Sequence, residues 1–238
     1  MSTSGWVNFW KDQKESFYET MRINTVFFAR QLEKLFHIKP SHQILDYGCG
    51  PGFLADALGE KNISITGADI NHFFIEQCKR NHAGSLFLYI STDIEETKKI
   101  FEEQLGKKKF DFIILLSITQ YFDNVTVLDT VVKMLVRYLS ENGKIIVADV
   151  SDENTSSYRD ALSLLFQCIK NGKPLAFFKF IFYLLFSSYN KLSKKEKLLK
   201  LSEQSIGQLA ADNSLSYKKV EGLTIHASRT NYVLSKGN

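Results

Sequence analysis

The sequence predicts an α/β fold: a doubly wound sheet of seven strands, mostly parallel, that ends in an antiparallel hairpin strand. Short apolar runs alternate with helix-like segments along residues 44–149, as expected when helices connect parallel strands. Glycines cluster directly after the first run, where such a sheet usually binds a ligand. Two closely spaced strand-like runs within residues 217–235 then complete the sheet.

The first predicted strand begins at Ile44 and runs into a turn that contains Gly48, Gly50 and Gly52. Glycine adopts positive φ readily and lets a ligand approach the backbone without meeting a Cβ atom. A dinucleotide-binding turn has the spacing G-x-G-x-x-G, in which helix-terminal amides meet a pyrophosphate. Here the third glycine comes one residue early and Asp46 precedes the turn, which favours a cationic ligand.

The second predicted strand, residues 63–70, carries an acid at its end. Asp69 follows Gly50 by 19 residues. In nucleotide-binding α/β units an acid about 20 residues beyond the glycines accepts hydrogen bonds from ribose hydroxyls. Asp69 is therefore the candidate ribose ligand.

Three further strands are predicted at residues 86–91, 110–117 and 143–149, with a helix-like stretch at 125–139 before the last of them. The nearly unbroken apolar run at 110–117 is typical of a central parallel strand that is covered on both faces. Asp93 follows the third strand. It either contacts the ligand or caps the next helix, and the two roles are compatible.

The last two strand-like runs, residues 217–227 and 230–235, are separated by Ser228 and Arg229 alone. So short a link requires an antiparallel pair. We therefore expect a hairpin at the C-terminal end of the sheet.

Polar side chains gather at the predicted carboxyl ends of the strands. In an open α/β sheet, ligands bind in the crevice outside those ends. We therefore expect side chains that are far apart in the sequence to converge on one site. Those that close the five strands are Asp46, Asp69, Asp93, Ser117 and Asp149.

The pattern Asp46-x-Gly48-x-Gly50-x-Gly52 resembles the first motif of class I S-adenosylmethionine-dependent methyltransferases of the small-molecule type. The resemblance covers about residues 40–150 and 203–236. It implies a Rossmann-like methyltransferase sheet, S-adenosyl-L-methionine as cofactor and S-adenosyl-L-homocysteine as product. The residues that it assigns to cofactor binding are Asp46, Gly48, Cys49, Gly50, Gly52, Asp69, Ile70, Asp93, Ile94 and Ser117.

Two other classes of function stay open. A nucleotide-cofactor oxidoreductase is disfavoured by the early third glycine and the terminal hairpin. A non-catalytic scaffold would keep the cofactor and use an aromatic segment to contact a partner or a membrane. Nucleic acid is not expected as a partner, because the net charge is only +4 and no Asx-Pro-Pro-aromatic or Pro-Cys sequence is present.

Methyl transfer from a sulfonium is an in-line displacement that mainly requires a dry, oriented site. The candidate general bases near the strand ends are Asp149, Tyr121 and His226. Asp149 can instead cap the start of the next segment, and a structural role is favoured for His226. Many relatives in this family carry an acid and then a histidine after the fourth strand, where this chain has Ser117 and Tyr121. No metal is expected, since metal-ligand spacing is missing from the other histidines, His37, His42, His72 and His82.

We expect a single domain, residues 1–238, because 44% of the residues are hydrophobic and no linker divides the chain. Residues 1–40 are predicted to form an N-terminal helical lid and residues 151–202 a helical, aromatic-rich cap. The three cysteines show no disulfide or metal spacing, and the polar N-terminus lacks a signal sequence. A cytoplasmic location, with peripheral membrane contact as an option, is therefore expected.

The centre of the cap, residues 175–186, is apolar and aromatic, and a lysine-rich stretch follows it up to Lys200. A membrane-spanning helix is not expected, because the run is short and contains Lys179. The segment covers an apolar pocket, lies in a membrane surface through residues 175–200, or packs against the core or a partner subunit. We therefore expect methylation of an oxygen, less readily a nitrogen, on a small, partly apolar metabolite or lipid-like acceptor. The sequence does not predict the oligomeric state.

Overall fold

A seven-stranded sheet in the order β3-β2-β1-β4-β5-β7-β6 forms the centre of the molecule. The structure, a computed structural model, describes residues 5–12, 18–186 and 188–237. Strands β1 to β5 are parallel, and β7 is antiparallel to both β5 and β6. The predicted fold class is therefore confirmed. The strands are β1 (Ile44–Tyr47), β2 (Ile65–Asp69), β3 (Phe87–Tyr89), β4 (Phe110–Leu116), β5 (Leu139–Val150), β6 (Leu215–Lys219) and β7 (Thr230–Lys236).

Helices cover both faces of the sheet. The chain connects successive parallel strands through α3 to α6, as the crossover of a parallel pair requires. A short 3₁₀ helix, Thr119–Tyr121, follows β4. The α-helices are α1 (Gly5–Asp12), α2 (Tyr18–Phe36), α3 (Phe53–Gly59), α4 (His72–Asn81), α5 (Ile94–Leu105), α6 (Val125–Val136), α7 (Ser157–Lys170), α8 (Pro174–Phe186), α9 (Ser188–Lys195) and α10 (Glu203–Asp212).

Strand β4 shows how the core is divided. Its alternate side chains enter two apolar layers, since successive residues of a strand point to opposite faces. Ile113 and Leu115 pack with α5, α6 and α10, whereas Phe112 and Ile114 pack with α2, α3 and α4. This two-sided burial explains the nearly unbroken apolar run and fixes the carboxyl end of β4 beside the ends of β1 and β5.

The C-terminal pair is antiparallel as predicted, but the predicted two-residue link is wrong. Ten residues, 220–229, connect β6 to β7. Gly222 has a φ of 70°, which interrupts the extended backbone. Leu223 and Ile225 are buried in separate apolar clusters, so their alternation reflects core packing and not a strand. The long link carries His226 and Arg229 to the strand ends.

Strand β5 begins earlier than predicted, at Leu139. Its register against β4 jumps from Leu139 opposite Phe110 to Lys144 opposite Phe112, so an irregularity absorbs the residues between. The first run of β5 therefore belongs to the strand and not to the preceding helix, which ends at Val136.

The segments predicted as lid and cap pack against each other, while the second half of α2, with Phe28 and Leu32, packs on one face of the sheet. Helix α1 packs on α9, while α7 packs on α8 and on α2. Residues 1–4 and 13–17 of the predicted lid and Ser187 of the predicted cap lie outside the described residues. None of the described helices combines the length and the apolar character that crossing a membrane would require.

Candidate active site

The glycine turn after β1 bends the backbone sharply toward α3. Gly48, Gly50 and Gly52 all have positive φ, at 84°, 51° and 84°. The Gly48 amide donates to Ala68 O at 2.7 Å, which ties the turn to β2. A Cβ atom on Gly48 would stand 2.7 Å from Ile118 Cγ2, so this position requires glycine for both conformation and space.

Asp69, at the end of β2, anchors the turn. Its Oδ2 accepts from the Gly50 amide and its Oδ1 from the Asn71 amide, each at 2.8 Å. Burial raises the pKa of Asp69 to about 6, although these amide hydrogen bonds oppose the rise. A carboxylate offers about four acceptor positions, so it keeps capacity for a ligand beside the backbone amides of Gly50, Asn71 and Ile70. The side chain lies on the wall of a cavity.

That cavity has a volume of about 920 Å³ and opens at the carboxyl ends of the parallel strands. Ligand pockets usually measure about 300–1,000 Å³, so this one is large enough for a nucleoside cofactor together with a small acceptor. Ten of the predicted site residues lie on its wall: Gly48, Gly50, Asp69, Ile70, Asp93, Ile94, Ser117, Tyr121, Asp149 and His226.

Three predicted cofactor residues do not belong to the described wall: Asp46, Cys49 and Gly52. Asp46 is buried in β1, and burial together with the nearby Asp69 raises its pKa to about 7. Cys49 is buried, and its hydrogen bond with Cys78 and its burial raise the pKa of its thiol. These residues support the turn from behind, and so a direct ligand contact remains a prediction for them.

Asp93 performs the capping role that the sequence left open. Its Oδ1 accepts from the Glu95 amide at 2.8 Å at the start of α5. Asp93 and the next residue, Ile94, also line the cavity. The cap therefore fixes this pair at the cavity edge, and a ligand contact stays compatible with it.

A buried polar network joins the ends of β4 and β5. Asp149 is 1% exposed; its Oδ2 accepts from Ser117 Oγ at 2.6 Å, and its Oδ1 lies 2.6 Å from His226 Nδ1. Burial alone would raise the pKa of Asp149, but His226, Arg229 and Ser117 hold it below its ordinary value. Ser117 and Asp149 adopt φ values of 57° and 66°, which are rare for residues with a side chain and cluster at functional sites.

The alternative that Asp149 caps the next helix is wrong. Ser156 is the N-cap of α7 and accepts from the Arg159 amide at 3.4 Å. The Asp149 carboxylate instead faces Ser117 and His226.

Two residues that the sequence did not indicate complete the network. Arg229 Nε donates to Asp160 Oδ2 at 3.0 Å, and its Nη1 lies 3.5 Å from Asp149 Oδ2. Asn24 Nδ2 donates to Ser117 Oγ at 3.4 Å. These partners are 69 to 93 residues apart, and no local pattern marks such pairs.

Aromatic rings form part of the cavity wall. Trp6 and Trp10 of α1 contact Tyr121, with ring centroids 5.5 Å and 5.1 Å apart, and Trp6 contacts Tyr189 at 5.0 Å. Burial raises the pKa of Tyr121 well above its ordinary value, with Tyr189 adding to the effect. Tyr121 therefore stays protonated near neutral pH and serves as a donor.

Two buried polar atoms on this wall point to a ligand. Trp6 Nε1 and Gln120 Oε1 have no hydrogen-bond partner among the described residues, although the two residues are 2% and 4% exposed. Buried polar groups are rarely left unsatisfied, so each indicates a site for a ligand group. Trp6 offers a donor and Gln120 an acceptor.

The wall fits S-adenosylmethionine. The glycine turn lets a ligand approach the backbone, and the Asp69 carboxylate keeps acceptor capacity for ribose hydroxyls. Ile70, Asp93 and Ile94, which the resemblance also assigns to cofactor binding, line the cavity as well.

Comparison with known proteins agrees with this geometry. Residues 38–208 match the family model described as methyltransferase domain. A ubiquinone biosynthesis O-methyltransferase from Rickettsia typhi is 25% identical over 235 residues, which cover 96% of this chain and 82% of the relative.

Solved structures share the fold at low identity. Magnesium protoporphyrin IX methyltransferase from Synechocystis, with bound S-adenosylmethionine, has a TM-score of 0.57 at 13% identity and covers 99% of this chain and 92% of its own. A methyltransferase from Bacteroides fragilis, in complex with S-adenosyl-L-homocysteine, has a TM-score of 0.58 at 16% identity, with coverage of 98% and 93%. Together with the family match, the site identifies the chain as a member of the methyltransferase domain family and as an S-adenosylmethionine-dependent methyltransferase.

Proposed function

We propose that this methyltransferase acts on an oxygen atom of a small, partly apolar acceptor, with His226 as the general base. The observation that carries the proposal is the 2.6 Å contact between His226 Nδ1 and Asp149 Oδ1 on the cavity wall. A hydroxyl nucleophile gains from a base that removes its proton as the new bond forms.

The electrostatics of the three candidate bases favour His226. Asp149 is too acidic to take a proton near neutral pH, because its neighbours hold its pKa low. Tyr121 is already protonated, because burial raises its pKa. Imidazole is the usual proton acceptor near neutral pH. A carboxylate at Nδ1 selects the tautomer whose Nε2 carries the lone pair, as in other histidine–acid pairs.

The remaining residues bind, orient and exclude water. S-adenosylmethionine, when bound, supplies an electrophilic methyl group on a sulfonium. The glycine turn and Asp69 hold the cofactor, while Ser117 and Arg229 keep the Asp149 carboxylate in place behind His226. The aromatic wall around Tyr121 keeps the reacting groups out of water, which strengthens their electrostatic interactions.

The residues that line the cavity indicate the chemical character of the acceptor. Leu164 of α7 and Phe180 and Leu184 of α8 line the cavity with apolar surface. Trp6 Nε1 and Gln120 Oε1 offer one donor and one acceptor inside it. A compound with an apolar body and a hydroxyl group satisfies both. The relative named for O-methylation in ubiquinone biosynthesis supports oxygen as the methylated atom.

The test is a screen of phenols, catechols and hydroxylated lipids, together with the matching amines, with isotopically labelled S-adenosylmethionine, followed by His226→Gln. We expect kcat on the best acceptor to fall by roughly 10²–10⁴-fold, with affinity for S-adenosylhomocysteine unchanged. His72→Gln is the matched control, because the His72 ring contacts the Tyr89 ring edge-on and is not part of the described wall. An undiminished kcat in His226→Gln would remove His226 as the base, and methylation at nitrogen would overturn the choice of oxygen.

A further inference from the structure

The most exposed apolar side chains of the protein share one surface. Among the described residues, every large apolar side chain that is more than half exposed lies on α7 or α8. Scattered exposed apolar residues are ordinary, but a concentration on two packed helices marks an interaction site.

Helix α7 carries apolar residues on two faces. Tyr158, Leu162, Phe166 and Ile169 are spaced by four, four and three residues, so they form one exposed stripe. The buried Leu164 packs on the other side of the helix, in a cluster with residues of α2. The core therefore explains the inner stripe and leaves the outer one without an intramolecular role.

Helix α8 also carries an exposed apolar stripe, and the stripe contains more residues than that of α7. None of its described residues is buried. Its outer stripe consists of Leu175, Phe178, Phe182, Leu185 and Phe186, of which Phe186 is 73% exposed. The stripes of α7 and α8 together form what we call the outer apolar face.

Positive charge is concentrated in the same segment. Residues 161–200 contain eight lysines and one acid, Glu196, a net charge of +7. The whole chain has +4, so the other residues together carry −3. Two of these lysines pair with acids elsewhere, Lys173 with Glu19 and Lys200 with Glu153. All eight are exposed, and they lie in the same stretch of chain as the outer apolar face.

We propose that the outer apolar face docks on an anionic lipid bilayer and lies in its interface. An apolar stripe flanked by lysines fits the boundary between acyl chains and anionic headgroups. Spanning is excluded for the described helices, which are too short or too polar to cross the bilayer. A second copy of the chain fits less well, because a two-fold interface would bring the lysines of both copies together.

In the docked orientation the bilayer surface and the cavity lie on opposite sides of α8. Phe180 and Leu184 lie on the cavity wall, one turn or less from the exposed Phe178, Phe182 and Leu185. The two cap helices therefore separate the interface from the cavity by the thickness of one helical layer. Docking would therefore hold the cavity close to acceptors that dissolve in the bilayer.

The experiment is co-sedimentation of the full chain with vesicles, in which the bound fraction is measured against lipid concentration. Vesicles of equal parts phosphatidylcholine and phosphatidylglycerol are compared with vesicles of phosphatidylcholine alone. Phe178→Glu combined with Phe182→Glu removes the apolar contact, and Lys194→Gln combined with Lys195→Gln removes charge. Leu35→Glu, at a position 43% exposed on α2, is the matched control.

We expect wild type and Leu35→Glu to bind the anionic vesicles and to be released by salt. The double phenylalanine variant should bind at least about tenfold more weakly, and the double lysine variant roughly 25-fold more weakly, from about fivefold for each lysine. Melting temperature and affinity for S-adenosylhomocysteine should stay unchanged in both, which separates loss of docking from loss of fold.

Three results would overturn the proposal. One is the absence of binding to anionic vesicles. Another is vesicle binding that is the same in wild type and in the double phenylalanine variant. The third is a wild-type dimer in light scattering that the phenylalanine substitutions convert to a monomer, which would assign the face to a second copy of the chain. None of these depends on the acceptor or on His226.

Discussion

Replacement of Asp69 by Asn tests the cofactor site most directly. The carboxylate is held by the Gly50 and Asn71 amides, each at 2.8 Å, and its remaining acceptor capacity is expected to receive the ribose hydroxyls. A hydrogen bond to a charged group contributes about 1.5–3 kcal/mol. Asn keeps the shape but removes the charge and one acceptor. We therefore expect the Kd for S-adenosylhomocysteine to rise by roughly 10- to 150-fold.

Calorimetric titration measures this loss, but the same substitution also disturbs the glycine turn that Asp69 anchors. A thermodynamic cycle separates the two effects: wild type and Asp69→Asn are each titrated with S-adenosylhomocysteine and with its 2′,3′-dideoxy analogue. That analogue lacks the hydroxyls that Asp69 is expected to bind. The wild type should discriminate between the two ligands, and Asp69→Asn should discriminate much less, with a coupling of at least about 1.5 kcal/mol.

Asp56→Asn serves as the control. Asp56 lies in α3, pairs with His82 at 3.2 Å and is not part of the described cavity wall, so its replacement should leave both affinities unchanged. If the effects of the substitution and of the missing hydroxyls simply add, the assignment of Asp69 to the ribose is refuted.

Two further perturbations test the glycine turn and the buried acids beside it. Gly48→Ala places a Cβ atom 2.7 Å from Ile118 Cγ2 at a φ of +84°, and we expect the free energy of unfolding in urea to fall by about 2–4 kcal/mol. Gly84→Ala, at a φ of +90° with nothing within 4 Å, should lose only about 1 kcal/mol, and equal losses would show that the Ile118 contact is unimportant. Burial raises the pKa of Asp46 to about 7 and that of Asp69 to about 6, from 3.8, so the folded chain retains protons that the unfolded chain has released. This contribution to stability is present below about pH 4 and is lost as the pH rises through about 6 to 7. Asp46→Asn should therefore gain stability relative to wild type as the pH of the urea titration rises from about 5 to 8, and parallel pH profiles would contradict the burial argument.

Much of the fold was predictable because it depends on local patterns. The two-sided apolar run of β4, the glycine turn after β1 and the acid at the end of β2 each occupy a short stretch of sequence. The same reasoning failed at residues 220–229. There an alternating apolar pattern arises from packing into two different clusters, and the pattern alone does not distinguish that packing from a strand.

The cap shows a second limit of prediction from sequence. The sequence identified an apolar stretch at residues 175–186 but left three environments open. The structure places Phe180 and Leu184 on the cavity wall and leaves Phe178 and Phe182 exposed. Which side of an apolar helix is covered depends on its neighbours, and those come from distant parts of the chain.

By itself, the sequence determined the class of fold and, through the glycine motif, the kind of cofactor, and it marked Asp69 as the candidate ribose ligand. These follow from periodicity and from glycine spacing, which are properties of neighbouring residues. Only the tertiary structure decided that Asp149 pairs with His226, 77 residues away, and that Arg229 and Asn24 complete the network. The physical reason is that parallel strands bring their carboxyl ends together whatever the length of chain between them, so the chemistry of the site is set by packing across the sheet.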